Sequence, residues 1–196
     1  MCLRRVHPAG FTLIELLLAV ALTTIIVGIA LPVGGDAIDD LRTAAAARYL
    51  AGRIAAARME AISRSRATAL RFQLSAPDYE FAAFADGNGN GVRTAEIAAG
   101  IDLPVGGRRR LGDDFPRVHF GLPVGSPDVD GVRNSSSDGV RIGTPRILTL
   151  SPDGTATSGT LYIQGQRAQY AVRVLGATGR TRVLKFDAGA RAWITR

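Results

Sequence analysis

The sequence predicts an α+β fold: a long N-terminal helix, hydrophobic at first and amphipathic later, followed by a C-terminal antiparallel β domain. Three observations predict it. Residues 11–31 form an apolar run in which Glu15 is the only charge. From Asp36 to Ala67 the chain is rich in Ala and Arg, with apolar residues at helical steps. Beyond Ala67, short β-branched and aromatic runs alternate with Gly, Pro, Asp and Asn. These divisions place a leader at 1–10, a membrane-length half helix at 11–33, an amphipathic half at 34–66 and the β domain at 67–196.

The apolar run begins after Arg4 and Arg5. About 21 residues of helix at 1.5 Å each span the ~30 Å of hydrocarbon in a bilayer. Basic residues before the run keep the N-terminus cytoplasmic and place the rest of the chain on the far side, where Asp36, Asp39 and Asp40 follow. A secretory signal cut after Ala19-Val20-Ala21 is the simpler alternative. Glu15 counts against it, because it interrupts the apolar centre that such signals need. A carboxylate inside hydrocarbon costs on the order of a few kcal/mol, so its presence calls for a partner.

Pro32, Gly34 and Gly35 are expected to kink or interrupt the helix. Helical spacing then resumes, with Leu41, Ala45, Leu50, Ile54, Ala57 and Ile62 as the expected buried stripe of about nine turns. Strands are expected at "ATALRFQL", "YEFAAFA", "RVHFG", "PRILTL", "TLYIQG", "QYAVRVL", "RTRVLKF" and "RAWITR". "SPDGTATSGT", "GATG" and "DAGA" supply hairpin turns for the last four. Residues 122–145, rich in Ser, Asp, Gly and Pro, read as a mobile surface loop.

Composition narrows the function. The formal charge is +7 and Lys185 is the sole lysine, so the positive charge is almost all guanidinium, which favours bidentate pairing with carboxylates or phosphates. Cys2 is the sole cysteine, which excludes a disulfide framework and a thiolate metal site. His119 is the one histidine beyond the leader, and no nucleophile elbow, phosphate loop or zinc-spaced cluster appears. The chain therefore reads as a non-enzyme without a cofactor or small-molecule substrate, and His119 as a strand residue.

One stretch bears on metal. "DGNGNGVRTAE" sets Asp86, Asn88 and Asn90 at alternate positions before Gly91, as in the first half of a calcium loop. Glu96 falls one position early for an EF-hand, so that geometry fails. A looser oxygen site for calcium, with Asp102 as a further donor, stands beside the simpler reading of a Gly/Asn-rich hairpin tip. "GGRRRLGDD" carries Arg108, Arg109 and Arg110, but Asp113 and Asp114 follow, which fits a locally neutralised, solvated loop.

"GFTLIE" sets Gly10 directly before Phe11, with Glu15 the fifth residue from Phe11. This closely resembles the class III signal of type IV prepilins and type II secretion pseudopilins. The resemblance implies cleavage between Gly10 and Phe11 by a membrane aspartyl peptidase and N-methylation of Phe11. It also implies that Glu15 pairs with the N-terminal amine of a neighbouring subunit, so that two charges costly in lipid offset each other. The succession of long helix, strands, "SPDGTATSGTLYI" and closing hairpin resembles the GspH/FimT family of minor pseudopilins and minor pilins. That likeness implies a single-pass subunit of the bacterial inner membrane with a periplasmic domain, built into a pseudopilus of type II secretion. Its implied partners are other pilins through the N-terminal helix, the prepilin peptidase and membrane lipid. "TGRTRVLKF" holds Arg180 and Arg182 past Gly179, with Arg173 and Lys185 on flanking strand positions. The Gly-Arg-x-Arg motif is similar to one linked to DNA binding in FimT-type minor pilins, which gives the alternative role of DNA uptake. Arginines that merely solvate an open sheet face are the simpler account.

Overall fold

A computed structural model describes residues 10–195, with residues 28–34 described by backbone alone. The leader up to Ala9, including Cys2, Arg4 and Arg5, therefore lies outside the described residues. Two compact units divide the chain, Met1–Ile38 and Asp39–Arg196. Helix α1 (Leu13–Arg64) contributes to both and is helical through Pro32. The expected interruption there does not occur: a proline deletes one N–H, and one missing bond does not end a run of this length.

In the first unit, Thr12 and Glu15 close the start of α1 reciprocally. The Thr12 N–H and hydroxyl both donate to Glu15 Oε2 at 2.8 Å, and the Glu15 N–H donates back to Thr12 Oγ1. This is a capping box, which satisfies orphan donors of the first turn. Behind it the helix is apolar all round and open, from Leu13 (77% exposed) to Val27 (54%). Among the described residues no helix is long and apolar enough to cross a membrane. The far end of the run read as membrane-length falls on residues 28–34, whose side chains are outside the description.

In the second unit, α1 from Asp39 onward packs against two antiparallel sheets. The first has the order β3 (Leu103–Pro104), β2 (Asp78–Ala85), β1 (Thr68–Ser75), β7 (Ile147–Leu150), with β4 (Arg109–Arg110) also on β2. The second has the order β11 (Ala192–Thr195), β10 (Arg180–Asp187), β9 (Gln169–Leu175), β8 (Gly159–Gln164), β5 (His119–Phe120), with β6 (Val140–Ile142) also on β8. Short helices α2 (Thr94–Ala98) and α3 (Leu111–Asp114) lie in the connections. Alternation along each strand sends Leu70, Phe72, Phe81, Leu161, Ile163, Val172 and Val174 to one core shared with α1. Phe72, Phe81 and Phe120 meet ring to ring at 5.6 to 6.2 Å.

The helix turns inward part of the stripe its spacing predicts, Leu50, Ile54 and Ala57, and adds Ala46, Ala47 and Ala61 to it. Ala46, Ala47, Leu50, Ile54 and Ala61 are fully buried, and Ala57 nearly so, whereas Leu41 is 68% exposed and Ile62 is exposed as well. Alanines prevail among the buried positions of the helix. Fully burying a side chain such as Leu50 contributes about 2 kcal/mol.

Two further expectations change. β7 and β8 belong to different sheets, so "SPDGTATSGT" carries the chain from one sheet to the other after a short pairing with β7 (Thr157 N–H to Thr149 O, 2.8 Å). The stretch 122–145 is pinned in place and contains β6. Asp128 pairs with Arg141 at 3.3 Å, Asp130 with Arg173 at 2.6 Å, and the Trp193 indole donates to Pro127 O at 3.0 Å. Its polar composition serves these ties. Arg110, assigned to a solvated loop by sequence, pairs with Glu80 across the β2–β4 ladder.

Candidate assembly surface and basic face

Gly10 stands just ahead of α1, and Phe11 is 88% exposed. Glu15, expected to await a partner from another subunit, already has an intrachain task in the capping box. Further along α1, in the second unit, Leu41, Arg48, Gly52, Ala55, Met59 and Ile62 are exposed and Ala45 half-buried. Alternate steps of three and four place them on one side of the helix, the spacing by which a helix presents a seam to another helix.

The four basic residues read together from sequence do not share a face. Arg173 lies directly across from Arg182, and Arg180 across from Leu175, all on the face of the second sheet that points away from α1. Lys185 pairs with Tyr170, which is a core position, and so lies on the helix side. There its ammonium meets Asp40 at 2.6 Å and lies 5.9 Å from the Tyr170 ring centre. Arg173 is engaged by Asp130. Arg180 and Arg182 are the exposed members of the set.

Two residues that sequence reasoning missed hold these strands to the helix. Asp39, 7% exposed, accepts the backbone N–H groups of Gln166, Arg167 and Ala168, each at 2.8 Å, and so clasps the β8–β9 turn. Burial pushes its carboxyl up, but those three donors and the charge of Arg42 outweigh burial and hold it below the usual carboxylate range. Arg58 Nε donates to Gly154 O at 3.1 Å in the "SPDG" turn and packs against Gly179 at the entry to β10. Nothing local could have marked either, since the partners lie roughly a hundred residues downstream.

The loop read as a Gly/Asn-rich tip, with an oxygen-ligand site as the alternative, spends its carboxylates largely on its own backbone. Asp86 Oδ1 accepts the Asn88 and Gly89 N–H groups and its Oδ2 that of Gly91. Burial raises its pKa, yet these donors bring it below the ordinary value. Asp102, 1% exposed, accepts from Gly87 and Arg93, and Glu96 Oε1 accepts both amide side chains, Asn88 and Asn90. Among the described residues no group of three or more Asp, Glu, His or Cys is arranged to hold a metal ion. His119 is an exposed strand residue of β5.

Comparison with known proteins adds two matches. Residues 7–31 match the prokaryotic N-terminal methylation motif, spanning Gly10, Phe11 and Glu15. Residues 46–179 match the family described as type II transport protein GspH, from the middle of α1 to the turn before β10. No curated protein and no solved structure matches the chain. With a helix that leads into two antiparallel sheets, a methylation motif at its start and a family match over more than half its length, the chain belongs to the GspH family of pilin-like type II transport proteins.

Proposed function

We propose that the chain is a minor pseudopilin of a type II secretion pseudopilus, held in the bacterial inner membrane by residues 11–33 with residues 67–196 in the periplasm. At family level, assembly with other pilins at the membrane and processing by the prepilin peptidase apply to this chain, and the family is structural, not enzymatic. In the proposal the leader 1–10 is removed between Gly10 and Phe11, Phe11 is N-methylated, and Glu15 exchanges its Thr12 bonds for the amine of a neighbouring subunit. The observation that carries it is the all-round apolar, exposed start of α1 directly behind Gly10-Phe11. Such a helix end finds shelter only in lipid or among other helices. Intact-mass analysis of the chain extracted from membranes is expected to show loss of residues 1–10 and gain of one methyl group. An unprocessed chain, or one cut after Ala21, overturns the reading.

A second reading, DNA contact as in FimT-like minor pilins, draws on Arg180 and Arg182 standing exposed on one face with Arg173. It predicts retardation of duplex DNA that weakens with salt, because neutralised phosphates release counterions. Unchanged retardation in an Arg180→Ala plus Arg182→Ala variant rejects it.

A further inference from the structure

Strand β1 outruns its neighbour. Its pairing with β7 ends at Arg71↔Ile147, while the strand and its β2 ladder continue to Ser75. The Phe72 N–H donates to Arg146 O at 3.0 Å, so even-numbered positions of β1 face the β7 edge. The Leu74 N–H and C=O therefore point to that same edge, past the end of β7, and the Leu74 side chain is 61% exposed. Strand β6 offers a second open edge. The Tyr162 N–H donates to Gly139 O, so odd positions face β8 and the backbone of Ile142 faces away.

Between the two edges runs a groove of about 630 Å³, bordered by Phe72–Leu74 on one side and Val140–Arg146 on the other. Phe72, Val140 and Ile142 are buried and give its walls an apolar base. Its charged lining is Arg71, Arg141 and Arg146 with Asp138; Asp138 pairs with Arg146 and Asp128, just outside, with Arg141, which leaves a net charge of about one, on Arg71. Arg146 is braced in place by Asp138 at 2.6 Å and stands 5.3 Å from the Tyr79 ring centre. An open strand edge is a template for a further strand unless something covers it.

We propose that this groove receives an extended acidic segment of a partner protein, which adds as a strand to β1 at Leu74 with its carboxylates beside Arg71 and Arg146. Main-chain bonds supply affinity in strand addition, and the cationic lining selects the sign of the segment. A second copy of this arginine-rich chain, net positive even without Arg4 and Arg5 of the leader, fits the charge of the groove poorly. The surface is separate from the exposed stripe of α1, so the proposal stands or falls independently of the filament reading.

The test uses the full-length chain in detergent and a fluorescein-labelled peptide of alternating valine and glutamate, followed by fluorescence anisotropy. Saturable binding is expected, with none for the lysine-for-glutamate peptide. Leu74→Pro removes one N–H aimed into the groove and leaves the β2 ladder intact, so affinity should fall about tenfold or more. Should Leu74→Pro fail to fold, Arg71→Glu decides, with a loss of similar size expected. Equal binding of the lysine peptide, or undiminished binding by the folded variant, overturns the proposal. So does self-association of the chain that the acidic peptide cannot compete away.

Discussion

Asp39 shows how one side chain can couple elements far apart in sequence. Three backbone donors converge on a carboxylate with 7% exposure, and its pKa lies below the unfolded value. A group with a depressed pKa contributes stability that is present above its unfolded pKa and is lost as pH falls through the folded one. Asp39→Asn should lower unfolding stability by about 2 kcal/mol at pH 7, the scale of hydrogen bonds to a charged acceptor. The gap between wild type and variant should then narrow from about pH 4 downward, as the native carboxyl protonates. Denaturant unfolding at pH 7 and pH 3 checks this, and an equal gap at both would rule out the charge as the cause. At this scale the sequence was readable only where chemistry is local. Glu15 stood out as a lone charge in an apolar run, but its bonds to Thr12 follow from a T-x-x-E spacing that a partner in another subunit does not explain.

At the scale of elements, the turns that meet α1 matter most. Gly179 has φ +60, and a Cβ added there would lie 2.4 Å from Gly154 O and 2.7 Å from Arg58 Nε. Gly89 has φ +82 with nothing within 4 Å of the same position. Gly89→Ala should therefore cost only the left-handed backbone penalty, about 1–2 kcal/mol. Gly179→Ala adds a backbone clash and should lower the melting temperature clearly more. Equal shifts in a thermal melt of the two variants would show that the Arg58 junction tolerates expansion. Strands β1, β2, β5, β7, β8, β9, β10 and β11 were visible as β-branched and aromatic runs between turn residues. β3, β4 and β6 were not, because two or three residues carry no period and form only where a neighbour offers an edge. Ties by Asp128 and Asp130 likewise turn a loop composition into a fixed segment.

For the whole molecule, the α+β class and the succession of helix and strands could be read in advance, since they rest on long periodic segments. What could not be read is the partition into two sheets. "SPDG" has ordinary hairpin chemistry, and only the packing of both sheets on α1 decides that β7 and β8 part company. The basic set divides for the same reason. Adjacent strand positions alternate faces, and Lys185 falls on the side that α1 covers, against Asp40. The methylation-motif match covers the start of α1, and the GspH match over residues 46–179 covers the later helix and most of the β domain, the groove beside Leu74 included.

Asp39 grips the turn that enters β9, and Arg58 reaches the turn that leaves it. The two grips are nineteen positions apart on α1, about 28 Å of helix. β9 is thus strung beside the helix like a string between two pegs. A tug or a twist on this part of α1 loads both pegs at once, so the second sheet is dragged or turned with the helix and has no single point to swivel about.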